Sequence, residues 1–276
     1  MGVLNLTPDS FSDGGAWDHP GRAVERGLEM LAQGADLLDL GAESTRPGGG
    51  VYGGGARTVP PEEEAARLLP VLKGLRRATE APISVDTRKG EVARQALAAG
   101  ADLINDVSAL GDPELARAVA EAGCPLVLMH SRGDLATMQK DIRFQDLLGE
   151  VRAELAEAVE RAQASGIDPS QLLLDPGLGF GKTAEQNLAL LARLDELAAL
   201  GLPLLVGASR KSFISRDAPP RSRLGGSLAA VAWAAAGSAA LVRVHDVAET
   251  AQFLDVWYAI ASHVLDNTAG SREGEA

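Results

Sequence analysis

The chain has 276 residues, 46% of them hydrophobic, which suits one large α/β domain with a substantial core. Its net charge of −12 argues against a general binder of nucleic acid or anionic membrane, yet leaves room for a local cationic cluster around a small anion. The single cysteine, Cys124, forms no internal disulfide and reads as core filler. No apolar run reaches the roughly 18 residues of a spanning helix and no basic-then-apolar start marks a signal peptide, so a reducing cytoplasm is the expected setting.

In chain order, apolar runs end again and again in polar residues. Gly2-Val3-Leu4 stops at Asn5, Leu37 to Leu40 precedes Glu43, Ile83-Ser84-Val85 stops at Asp86, and Leu103-Ile104 stops at Asn105-Asp106. Leu126 to Met129 then stops at His130 and Leu172 to Leu174 at Asp175, while Leu204 to Val206 precedes Ser209-Arg210-Lys211 and Leu241-Val242 precedes Arg243-Val244-His245. These runs predict eight short strands. Between them, Ala65, Leu68, Leu69, Leu72 and Leu75 follow helical spacing behind Pro60-Pro61 and the acids Glu62, Glu63 and Glu64. Further helices are predicted at 21–33, 89–99, 113–122, 146–165, 184–199, 225–237 and 247–265. The repeating strand-then-helix order predicts a (β/α)8 barrel, an α/β fold, over residues 1–265, with a polar, disordered tail at 266–276; a doubly wound open sheet is the alternative. The stretches Asn5 to Asp18 and Thr45 to Val59 are long and glycine-rich, and read as mobile lids.

The stretch from Leu172 to Lys182 places a carboxylate, Asp175, at a strand end before a glycine-rich turn and a lysine. It is no phosphate loop, because Pro176 stands where that motif needs glycine, and Gly177, Gly179 and Gly181 lack the dinucleotide-binding spacing. In a barrel the loops at the C-terminal strand ends build the functional face. There the sequence supplies acids and amides (Asn5, Asp86, Asn105, Asp175) together with cations (Arg46, Lys211, Arg243, His245). Such a set suits a ligand with a hydrogen-bonding ring at one end and phosphate at the other, the carboxylate accepting paired N–H groups.

Residues Met1 to Gly15 (MGVLNLTPDSFSDGG) resemble the first signature of the dihydropteroate synthase family, and Ala42 to Gly48 (AESTRPG) resembles its second. The resemblance continues through Ser84 to Thr87, Ile104 to Val107, Leu128 to His130, Asp175 to Lys182, Ala208 to Phe213 and Arg243 to Val247. It implies condensation of 6-hydroxymethyl-7,8-dihydropterin diphosphate with 4-aminobenzoate, giving 7,8-dihydropteroate and diphosphate by SN1-like displacement. Asp175, Asn105 and Asp86 would bond the pterin ring, with Lys211 at its oxygen and N5 and with Met129 and Phe180 packing it. Thr45 belongs to the same substrate-binding set. Arg46, Arg243 and His245 would hold the diphosphate, and Asn5, with Asp9 or Asp13, would serve Mg²⁺. Phe11, Pro47, Lys211 and Ser212 would form the 4-aminobenzoate site. Within that set Asn5, Arg46, Lys211, Arg243 and His245 are the catalytic candidates.

Lys182 has only a weak claim to ligand contact, and His130 reads as a hydrogen-bonded structural histidine. His245-Asp246 lacks the serine elbow of a nucleophile triad. The small, apolar helix after Leu224 suggests close packing against a second copy, and the resemblance tilts this to a homodimer. Competing readings are a pterin-binding methyltransferase domain, which would have no use for the cations, and a non-catalytic pterin-binding module.

Overall fold

The computed structural model describes residues 1–7, 20–43, 59–133, 138, 142–215, 217–237 and 239–270, with 264–270 described by backbone alone. The strands are β1 (Gly2–Asn5), β2 (Leu38–Gly41), β3 (Ile83–Asp86), β4 (Leu103–Asp106), β5 (Leu126–Met129), β6 (Leu172–Asp175), β7 (Leu205–Val206) and β8 (Leu241–Val242). They alternate with α1 (Pro20–Ala32), α2 (Pro61–Ala78), α3 (Gly90–Ala98), α4 (Pro113–Ala122), α5 (Leu147–Ala164), α6 (Ala184–Ala192), α7 (Leu194–Ala198), α8 (Leu224–Ala236) and α9 (Val247–Gly270). Strands β1 to β6 pair in parallel and in sequence order, and β7 pairs with β8.

Two thin seams close the ring. Parallel bridges join Leu174 to Leu204 and Gly2 to Val244. At the second seam Val3 N donates to Val244 O at 2.9 Å and Val244 N to Met1 O at 3.0 Å. The expected eight-stranded barrel is therefore formed.

Period-two alternation sorts the side chains. Leu38, Leu40, Ile83, Val85, Ile104, Leu126, Leu128, Leu172 and Leu174 join the main core beneath the helices. Residues of the other parity face the barrel interior, and its base is plugged by Met1, Val127 and Leu205 with Leu37, Leu103, Leu173 and Leu241 around them. One step higher, the same parity turns polar: Asp39 follows Leu37, Asn105 follows Leu103, Asp175 follows Leu173 and Arg243 follows Leu241. The site thus rests on an apolar plug.

Helix ends follow the sequence closely. Leu68, Leu72 and Leu75 of α2 are fully buried, each contributing roughly 2 kcal/mol of burial. Thr183 caps α6 in a reciprocal capping box with Gln186. The expected helix over 184–199 is broken at Arg193, whose backbone (φ −128°, ψ 37°) ends α6 and begins α7. Helix α9 runs to Gly270, past the expected end at 265. Residues 271–276 of the expected tail lie outside the described residues.

Candidate active site

Asp39 is fully buried in the barrel interior, and its Oδ2 accepts from Arg243 Nε at 2.6 Å and from Asn105 Nδ2 at 3.4 Å. Arg243 Nη2 also donates to Asp86 Oδ2 at 2.8 Å. One guanidinium just after β8 therefore ties the interior of β2 to the end of β3. Burial alone would lower the Arg243 pKa, but the Asp39 and Asp86 carboxylates outweigh it and raise it. Burial pushes the Asp86 carboxyl up to about 7 despite the opposing pull of Arg243. The sequence divides the candidates into ring-binding acids and phosphate-binding cations, whereas in the structure Arg243 joins the two sets.

Asp175, at the end of β6, is buried, and burial raises its pKa while Lys211 pulls the other way. Its Oδ1 accepts from Gly177 N at 2.7 Å. A Cβ added at Gly207 would lie 3.8 Å from Lys211 Nζ and 3.9 Å from Asp175 Oδ2, so glycine there keeps the space between these groups open. Lys211 Nζ donates to Leu178 O and stands 4.7 Å from the centre of the Phe180 ring. Burial brings the Lys211 ammonium down to about 8. Phe180 and Met129 cluster with Val107 and Met138 in a small apolar patch beside these polar groups. A flat ring with polar edges has matching chemistry: apolar contact for its face, donors and acceptors for its rim.

The turn after β7 is set by Arg210, which has φ +59° and pairs with Asp246 through Nε at 2.9 Å. Its backbone N donates to Ser227 Oγ at 3.0 Å and its carbonyl accepts from Arg223 at 2.7 Å. With Arg210 engaged there, Lys211 reaches Leu178 and Phe180, while Ser212 is exposed. His245 contacts Ser209 Oγ through both its backbone N and Nδ1 at 3.1 Å, and its Nε2 stands 3.5 Å from Asn5 Nδ2. Asn5 and His245 thus meet across the β1–β8 seam.

Thr45, Arg46 and Pro47 lie outside the described residues, as do Asp9, Phe11 and Asp13, and with them most of both expected lids. The residues flanking the second lid are joined: Val59 N donates to Glu43 Oε1 at 2.9 Å, and Arg88 Nε donates to the other oxygen at 3.0 Å. Lys89 bridges Glu43 and the buried Glu64. Among the described residues no group of three or more His, Cys, Asp or Glu side chains gathers to hold a metal ion.

Sequence reasoning missed Asp39, Met138 and the placement of Lys182. Asp39 could have been found, because an acid between Leu38 and Leu40 in a buried strand must point to a partner inside the barrel. Met138 offered no local signal.

The family model for "Pterin binding enzyme" matches residues 1–245. The chain belongs to the pterin-binding enzyme family. Among members of this family, a dihydropteroate synthase of Synechocystis sp. is 48% identical over 93% of this chain and 88% of its own length. The pterin-binding fold is shared with dihydropteroate synthase from Xanthomonas albilineans solved with 4-aminobenzoic acid, at a TM-score of 0.87 and 47% identity over 95% of this chain and 92% of that one. The same enzyme solved in complex with 7,8-dihydropteroate matches at a TM-score of 0.83 and 44% identity, with the same coverage of both chains.

Proposed function

We propose that this pterin-binding enzyme condenses 6-hydroxymethyl-7,8-dihydropterin diphosphate with 4-aminobenzoate, releasing 7,8-dihydropteroate and diphosphate. The observation that carries the reading is the meeting of Asp175, Lys211, Asp86, Asn105 and Arg243 above one apolar plug, at the strand ends where His245 and Asn5 also stand. The ligands named for the relatives, 4-aminobenzoic acid and 7,8-dihydropteroate, fit this set in polarity.

In this reading the Asp175 carboxylate accepts from the pterin's 2-amino and N3 groups, with Gly177 N also donating to Oδ1. Asn105 and Asp86 take the remaining ring nitrogens, Lys211 donates to the ring oxygen and N5, and Met129 and Phe180 pack the faces. Arg243, His245 and Arg46 hold the diphosphate. Departure of diphosphate leaves a methylene cation stabilised by the electron-rich pterin, and the cationic side chains stabilise the leaving charge. The neutral aromatic amine of 4-aminobenzoate, held by Phe11, Pro47, Lys211 and Ser212, then attacks and loses a proton, so no strong base is required. Thr45 adds a substrate contact from the second lid.

Mg²⁺ is the proposed cofactor, with Asn5 and either Asp9 or Asp13 as its hard oxygen ligands. When bound, the ion adds positive charge beside the diphosphate. Incubation with both substrates and Mg²⁺, following pteroate and diphosphate, tests the reading; binding without turnover overturns it. Loss of diphosphate binding in Asn5→Ala, measured without turnover, tests the metal assignment.

A homodimer is proposed from the exposed apolar side chains on the last two helices, Trp233 on α8 and Val256, Tyr258 and Ile260 on α9, each more than half exposed. Light scattering showing only monomer at micromolar concentration overturns it. No helix among the described residues is long and apolar enough to cross a membrane.

A further inference from the structure

Lys182 closes the glycine turn after β6 and precedes the cap of α6, and it is buried to 3% exposure. Among the described residues no carboxylate bonds its ammonium. Nζ instead meets His130 Nδ1 at 2.8 Å, Gly177 O at 3.0 Å and Phe180 O at 3.0 Å, with His130 O a longer contact at 3.4 Å. An ammonium has three N–H donors, so the three nearest acceptors use all of them. Because His130 Nδ1 accepts, the imidazole carries its proton on Nε2 and donates it to Glu154 Oε2 on α5, at 3.0 Å. Arg132 holds the same carboxylate from its other oxygen. A continuous chain therefore runs from the rim of α5, through the end of β5, to the turn.

Three residues of the Gly177–Phe180 segment are tied to the site and the fourth, Gly179, to α6. Gly177 N holds Asp175, Leu178 O receives Lys211, Gly179 N donates to Asn187 Oδ1 at 2.6 Å, and Phe180 supplies the ring beneath Lys211. The two nearest carbonyls that Lys182 gathers, Gly177 and Phe180, are the ends of this segment. The backbone leaves no slack: Gly177 has φ +64°, and a Cβ there would sit 1.8 Å from His130 O. The three nearest acceptors converging on this one atom match an ammonium in number, whereas glutamine has only two donors and the guanidinium fork of arginine is planar and wider.

We propose that Lys182, oriented by His130 and Glu154, is a positioning residue that sets the Gly177–Phe180 wall and through it the Asp175 carboxylate and Phe180 ring that receive the pterin. This rests on the functional reading above. Burial brings the Lys182 ammonium down to about 7, a cost that an ordinary surface loop lysine does not carry.

The test uses Lys182→Met, Lys182→Arg and Glu154→Gln in the full chain. It measures the Kd of a pterin lacking diphosphate, and KM for each substrate with kcat. For Lys182→Met the pterin Kd and the KM for pterin diphosphate should rise about 10- to 100-fold, the loss of one or two hydrogen bonds' worth of alignment, while kcat at saturation and the KM for 4-aminobenzoate move less than about threefold. Lys182→Arg should not rescue the pterin Kd. Glu154→Gln changes a partly exposed carboxylate, keeps its shape, and should raise the pterin Kd about threefold. Folded Lys182→Met with wild-type pterin Kd overturns the proposal, as does wild-type pterin Kd in Glu154→Gln should Lys182→Met fail to fold. Wild-type chain that binds no pterin overturns the functional reading itself, so the two failures are distinct.

Discussion

On the floor of the site Arg243 is shared between Asp39 and Asp86, whereas in the wall Lys182 is buried among three carbonyls and an imidazole nitrogen. Floor and wall solve the burial of a cation differently. Floor charges are paired with carboxylates, so an arriving ligand can exchange partners with them, and their protonation is coupled. Wall charge is met at hydrogen-bond distance by neutral dipoles, so it has no bonded carboxylate to exchange and holds backbone in place. A site that must accept both a polar ring and an anion gains from having one adaptable surface and one fixed one.

The comparison is broken most severely at Asp175, where wall and floor meet. Asp175→Ala removes two charge-assisted hydrogen bonds to the pterin at about 2 kcal/mol each, and kcat/KM should fall ~1,000-fold; steady-state kinetics check it. Arg243→Ala should lower stability by about 3–5 kcal/mol because Asp39 and Asp86 are left buried against each other, seen as a drop in Tm. Its partial reversal in Arg243→Ala with Asp39→Asn would confirm that the carboxylates are the cause. For this reason Arg243→Ala should also weaken a pterin that lacks diphosphate. In the wall, Gly177→Ala should cost about 2–3 kcal/mol through left-handed strain and collision with His130 O, measured by chemical denaturation.

A further effect concerns the floor alone and is read by pH. The Asp86 carboxyl stands at about 7 in the folded chain against 3.8 as its ordinary value. A carboxyl whose pKa is raised by folding stabilises the fold while protonated, so its contribution is full below pH 3.8 and is lost as the pH rises through 7. Wild-type stability should therefore carry a downward slope between those values, and Asp86→Asn should flatten it. Least of all, Cys124→Ala, which precedes β5 at the strand end opposite the site, should cost about 1 kcal/mol or less with unchanged turnover.

The strand ends were legible because hydrophobic runs stopping at Asn5, Asp86, Asn105, Asp175 and Arg243 leave only one end of a barrel for those side chains. The start of α2 was legible through Pro61 and the first-turn acids Glu62, Glu63 and Glu64. Lys182 was not, since a lysine after glycines reads as a solvated cation, and only folding brings His130 from 52 residues away in sequence. Arg243 shows the same limit: its bond to Asp39 spans 204 residues, so its place among the cations concealed its carboxylate partners. The break at Arg193 escaped prediction because neither glycine nor proline marks it.

The seams of the barrel carry a further consequence. Strands β7 and β8 pair over two residues each and join the six-stranded sheet through single bridges, while Arg243 reaches from β8 to β2 and β3, and Lys211 from the β7 turn to the β6 turn. Substrate gripped by these same groups would span both joints like a stitch. Amide protons of Val3, Leu174 and Val244 report on those joints, and their hydrogen-exchange protection should rise when pterin diphosphate binds, so that occupancy is read as mechanical closure of the ring.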